Sequence, residues 1–221
     1  MKRRMTTALF LIFLALPLAN IASAQQANSP EAEADKTVAD QSAGPYEQAQ
    51  KLYQQGQYDQ AIKLLEGPSA GAPYDLKVNA LMARAILSKC EELKKSKDKN
   101  YRYYIKRPYV IGIRLLKAHP SLPEPYYLAA KSLLINNRPN KAAKFMKKAI
   151  YFAGPQHESY PEYMMTQGDC WTALMIKGDM RGFGYAKKSY QQALAAAKGN
   201  AAFAAQINAR LQYLEEKYKR K

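Results

Sequence analysis

From Tyr46 onward the apolar residues return at intervals of three and four, and no two segments alternate at two, which commits this chain to amphipathic helices. Ala49, Leu52 and Tyr53 precede Gly56, and Tyr58, Ala61, Ile62, Leu64 and Leu65 follow it. That spacing predicts a helix, a tight turn at the glycine, and a second helix stopped by Gly67-Pro68. The same grammar returns over 126–152. There Ala129, Ala130, Leu133 and Leu134 lead to Asn136-Asn137-Arg138-Pro139, then Ala142, Ala143, Met146, Ala149 and Ile150 before Gly154-Pro155. Further helices are expected over 76–93, 109–118, 163–177, 185–197 and 201–218.

One hairpin of this kind has an apolar face it cannot cover alone, so it must stack on a neighbour. The small residues opening the second helices, Ala61, Pro108, Ala142 and Ala186, are spaced by 47, 34 and 44. The fold class is all-α: antiparallel helix hairpins stacked over about 46–197. A last helix over 198–221 closes the stack with Phe203, Ile207, Leu211 and Leu214 on one stripe.

These residues resemble the tetratricopeptide repeat family. Its small residue on the first helix is similar to Ala49 and Ala130, its large residue three later to Leu52 and Leu133, and its turn glycine to Gly56. The aromatic after the turn is similar to Tyr58, the small residue on the second helix to Ala61 and Ala142, and the large one four later to Leu65 and Met146. Pro139 and Pro108 depart from the pattern, standing where an aromatic and an alanine belong. The Sel1-like class, with longer hairpins, fits the same residues. The resemblance implies a right-handed α-solenoid whose first helices line a concave, peptide-holding groove. By register that face includes Gln50, Tyr53 and Gln54 in the first unit and Glu124, Tyr127, Lys131 and Leu134 in the third.

The N-terminal residues carry a different signal. Lys2, Arg3 and Arg4, an apolar stretch over 8–18, and Ala22-Ser23-Ala24 read as a secretory signal peptide over 1–24, hence export to the periplasm or beyond. The apolar stretch is too short to span a bilayer. Residues 25–45 hold four acids, one Lys and a single Val as their only large aliphatic, a flexible acidic leader by composition. The rest, 46–221, then carries 30 basic and 14 acidic residues, so the chain's net charge of +16 is matched by the folded part alone.

Catalysis and cofactors find no support. His119 and His157 stand in no metal-ligand spacing, and the nucleophile, phosphate and dinucleotide fingerprints are absent. We therefore expect no enzyme, no metal and no cofactor. Cys90 and Cys170 raise the question of a disulfide in an exported chain, but a linear stack separates them, and two buried thiols are expected.

The most unusual segment is 94–109, KKSKDKNYRYYIKRPY, seven basic residues interleaved with four tyrosines. Lys99, Arg102, Tyr103, Lys106 and Arg107 are its candidate contacts. Basic and aromatic residues together suit nucleic acid, but export argues for an anionic envelope polymer or lipid surface instead. Two readings follow: an exported scaffold docking a protein or peptide, with acidic groups fitting its Tyr and Lys contacts, or an envelope binder acting through 94–109.

Overall fold

The computed structural model describes residues 44–220. The expected signal peptide, and all but Gly44 and Pro45 of the expected leader, lie outside the described residues. Ten helices appear among them: α1 (Pro45–Gln54), α2 (Tyr58–Gly71), α3 (Leu76–Lys95), α4 (Tyr101–Tyr104), α5 (Lys106–Ala118), α6 (Pro123–Ile135), α7 (Pro139–Ala153), α8 (Tyr160–Ile176), α9 (Gly182–Ala196) and α10 (Ala201–Lys219). There is no strand among the described residues.

Local chemistry sets the starts. Asp75 Oδ1 accepts the Val78 N–H at 2.8 Å to cap α3, and Asn200 Oδ1 accepts that of Phe203 at 3.0 Å to cap α10. Proline opens α1, α6, α7 and α8, where its missing N–H costs nothing. Pro45 therefore belongs to α1 rather than to the leader. One expected stop fails: α2 runs through Gly67-Pro68 to Gly71. A proline one turn from a helix end removes a single hydrogen bond, and Ser69, buried and donating to Asn79 Oδ1 at 2.7 Å, holds the extra turn against α3.

Each helix packs on the next, and α1, α3, α6, α8 and α10 also touch one another in turn, leaving α2, α5, α7 and α9 as a second layer. In the middle, α6 is buried on almost every side, with Leu128, Ala129 and Ala130 fully covered. Small residues allow that closeness: a Cβ on Gly112 of α5 would lie 2.9 Å from the Pro125 carbonyl oxygen. Ala61, Pro108, Ala142 and Ala186 are all buried near the starts of their helices. On α10, Ile207 and Leu214 are fully buried, with Phe203 and Leu211 packed beside them.

A repeat deeper than the one in the second helices governs the first ones. The N–H groups of Gln57, Asp98, Arg138 and Asp179 bond the carbonyls of Leu52, Leu93, Leu133 and Leu174 at 2.8 to 3.1 Å. In each case the residue before the donor is left-handed: Gly56 (φ 76°), Lys97 (61°), Asn137 (59°) and Gly178 (111°). These are four copies of one helix end, the left-handed C-terminal cap that satisfies orphan carbonyls. The four leucines stand 41, 40 and 41 residues apart. The uneven 47 and 34 arise because α4 is inserted before the second helix of the second unit, and the 44 because the connection from α8 to α9 is longer than that from α6 to α7. Gly178 faces open space, so Gly178→Ala should cost only the left-handed penalty, about 1–2 kcal/mol in a denaturant titration. Lys97→Gly should move the midpoint the other way.

Candidate functional site

At one edge of the first layer, the starts of α3, α6 and α8 converge beside α1 on a groove of about 700 Å³. Gln50, Tyr53 and Gln54 of α1 form one wall, Lys77, Ala80 and Arg84 of α3 the next, and Glu124, Glu162 and Tyr163 the floor. The structure thus brings together four of the residues singled out by register: Gln50, Tyr53, Gln54 and Glu124.

The floor is a closed ionic network. Arg84 clamps Glu124 with two bonds, Nε to Oε1 at 2.6 Å and Nη2 to Oε2 at 2.9 Å, while Nη1 reaches both oxygens of Glu162 at 3.2 and 3.3 Å. Tyr127 donates to Glu162 Oε1 at 2.5 Å and Tyr163 to Glu124 Oε2 at 2.9 Å. The guanidinium lies 5.0 Å over the Tyr127 ring. Burial works to raise the Glu162 pKa, but Arg84, the Tyr127 hydroxyl and Lys131 outweigh it and hold the carboxyl below its ordinary value. Burial together with the Glu162 charge pushes the Tyr127 phenol well up, so it stays a donor at neutral pH.

Two turns further along the same helices a second set of charges alternates. Glu91 of α3 pairs with Lys131 of α6 at 3.0 Å, and Asp169 of α8 with Arg210 of α10 at 3.0 Å. Tyr190 donates to the same Asp169 oxygen at 2.8 Å. Positions 84, 124 and 162 recur seven residues later as 91, 131 and 169, so both rungs lie on one face of each helix. Tyr127 and Lys131 are therefore internal bonds of the layer, and neither lines the groove.

The basic segment lies apart from the groove lining. Its tyrosines are mostly structural: Tyr101, Tyr104 and Tyr109 pack against the core, whereas Tyr103 is 84% exposed. Lys94 Nζ donates to the Ile135 carbonyl at 2.9 Å, and Arg107 pairs with Glu66 at 3.0 Å. Lys99, Arg102 and Lys106 are exposed.

His157 Nδ1 accepts the Ser159 N–H at 3.1 Å, and its ring stacks 5.9 Å from that of Tyr163. Among the described residues no three His, Cys, Asp or Glu side chains gather as metal ligands, and no helix is long and apolar enough to cross a membrane. Both cysteines are unpaired and fully buried. Burial pushes the Cys90 thiol up to about 12 and that of Cys170 up as well. Neither should react with an aromatic disulfide reagent at pH 8 until denaturant is added; prompt reaction of the native chain would contradict this burial.

Sequence reasoning missed Arg84, which organises the floor; it weighed Glu162 only beside His157 and Glu158 as a metal or acid-base group, not as a partner of Arg84. The signal available was the seven-residue recurrence of charge within α3, α6 and α8. No family model, no curated protein and no solved structure matches the chain.

Proposed function

We propose that this chain is an exported scaffold, a right-handed α-solenoid of tetratricopeptide-like hairpins, that docks an extended segment of a partner protein in the α1–α3–α6–α8 groove. The observation that carries this reading is a groove whose floor carboxylates are both already paired with Arg84 and fixed by their own hydrogen bonds. Binding then does not have to desolvate an unpaired charge or order the floor, which are the usual costs of association. Exposed Gln50 and Gln54 offer amide donors and acceptors to a peptide backbone, and Tyr46 and Tyr53 add rigid aromatic area. The 40-residue interval between first helices favours the longer hairpin patterns over the 34-residue one.

The alternative, an anionic envelope polymer bound through 94–109, draws on exposed Lys95, Lys97, Lys99, Arg102, Tyr103 and Lys106. Crosslinking pull-down of the full chain from its own compartment separates the two. Reversal of Lys97, Lys99, Arg102, Lys106 and Arg107 to Glu should leave groove docking intact, whereas Gln50→Arg with Gln54→Arg should abolish it. The opposite pattern, with binding that falls steeply as salt rises, would assign function to the basic segment.

A further inference from the structure

A second cleft, sharing no residue with the first, opens between α7, α8 and α9 with a volume of about 630 Å³. Its apolar lining is Ile150, Tyr160, Met164, Trp171 and Leu174. Trp171 is half-buried and packs against Tyr185, ring centroids 4.7 Å apart and planes tilted by 32°. Along the rim stand Lys144 and Lys147, one turn apart on α7, exposed and without an ionic partner among the described residues. The one acid in the lining, Asp179, is spent on Arg181 at 2.9 Å. On the cleft wall, Gln167 Oε1 is buried and makes no hydrogen bond inside the protein; rotation of its amide would present an acceptor to a backbone N–H laid in the cleft.

An apolar trough with a one-sided cationic rim selects for both properties at once. A plain polyanion has nothing to put on Trp171, and a plain apolar segment leaves the lysines unpaired. Hydrophobic anchors at i, i+3, i+4 and i+7 would fill the trough, and carboxylates between them would meet Lys144 and Lys147. We propose that this cleft is a docking site for an acidic amphipathic helix of a partner protein, a second contact surface independent of the groove at the other edge.

Trp171 is the chain's single tryptophan, so occupation of this cleft has its own optical signal. The full chain would be titrated with a fourteen-residue peptide of leucines on one helical face and glutamates elsewhere, and with the same residues scrambled. The proposal predicts a saturable shift in Trp171 emission with the patterned peptide and a much weaker one with the scramble. Lys144→Glu with Lys147→Glu should weaken binding by roughly tenfold or more, while Lys97→Glu with Lys99→Glu, the same change in charge on another surface, should leave it within about twofold. No Trp171 shift, or equal weakening by both pairs, would overturn the proposal. A shift produced by anionic lipid vesicles and not by the peptide would give the cleft to a membrane surface. One that grows with protein concentration alone would give it to a second copy, and either result defeats the helix.

Discussion

Replacing Arg84 by Met should cost about 3–5 kcal/mol of folding stability at pH 7, the largest effect of any single side chain in the groove. The substitution keeps the length of the side chain and removes only the charge and its donors, leaving Glu124 and Glu162 facing each other in a partly buried site. The pH dependence should change sign with it. In the native chain Glu162 titrates below its ordinary value of 4.5, so its contribution is present above that pH and is lost as pH falls through the lower folded value. Without Arg84 the buried Glu162 carboxylate loses the main charge that offsets its burial, and the variant should gain stability between pH 7 and pH 4 while the native chain does not. Adding Glu124→Gln and Glu162→Gln to Arg84→Met should recover much of the loss. Urea titrations at the two pH values check all three statements, and an Arg84→Met midpoint within about 1 kcal/mol of the native one would show that the network contributes little.

Gly182→Ala should be nearly as damaging, at about 2–3 kcal/mol, for a steric reason. The added methyl would sit 2.5 Å from the Trp171 carbonyl oxygen and 2.9 Å from the Met175 nitrogen, both backbone atoms of α8 that cannot swing aside. The start of α9 would have to lift off its partner. Two residues on, Gly184 faces open space, and there the same substitution should stabilise by about 0.5 kcal/mol through helix propensity alone. The pair of variants in one thermal melt separates close packing from any general intolerance of α9.

The two glycines also mark the limit of what the sequence discloses. Helix existence was legible because a buried stripe at intervals of three and four has no other use in a chain of this length. The closing helix was legible for the same reason, down to Phe203, Ile207, Leu211 and Leu214. The 40-residue period was not. Its marker is a left-handed backbone position, which sequence announces only when glycine fills it, as at Gly56 and Gly178; Lys97 and Asn137 fill the other two. The stop expected at Gly67-Pro68 failed because a proline close to a helix end costs one bond that tertiary packing at Ser69 offsets.

Register placed Gln50, Tyr53, Gln54 and Glu124 on one groove, yet assigned Tyr127 and Lys131 to the same surface. They share its helical face. In a stack wound this tightly around α6, that face meets α3 and α8 instead of solvent, and only the first turns of the helices reach open space. Burial of a whole helix depends on how closely its neighbours approach, and glycines such as Gly112 set that distance. The tyrosines of 94–109 illustrate the converse: Tyr101, Tyr104 and Tyr109 close an inserted turn over the core, and Tyr103 alone stands well clear of it.

The claim that the groove is where the partner docks is tested most directly by site-specific photocrosslinking in the cells that make the chain. A benzophenone side chain would be placed at Gln50, at Gln54 and, as the contrasting position, at Tyr103. One discrete adduct is expected from each of the two groove positions and none from Tyr103. Adducts from Tyr103 with silence at Gln50 and Gln54 would contradict it and move the function to the basic segment.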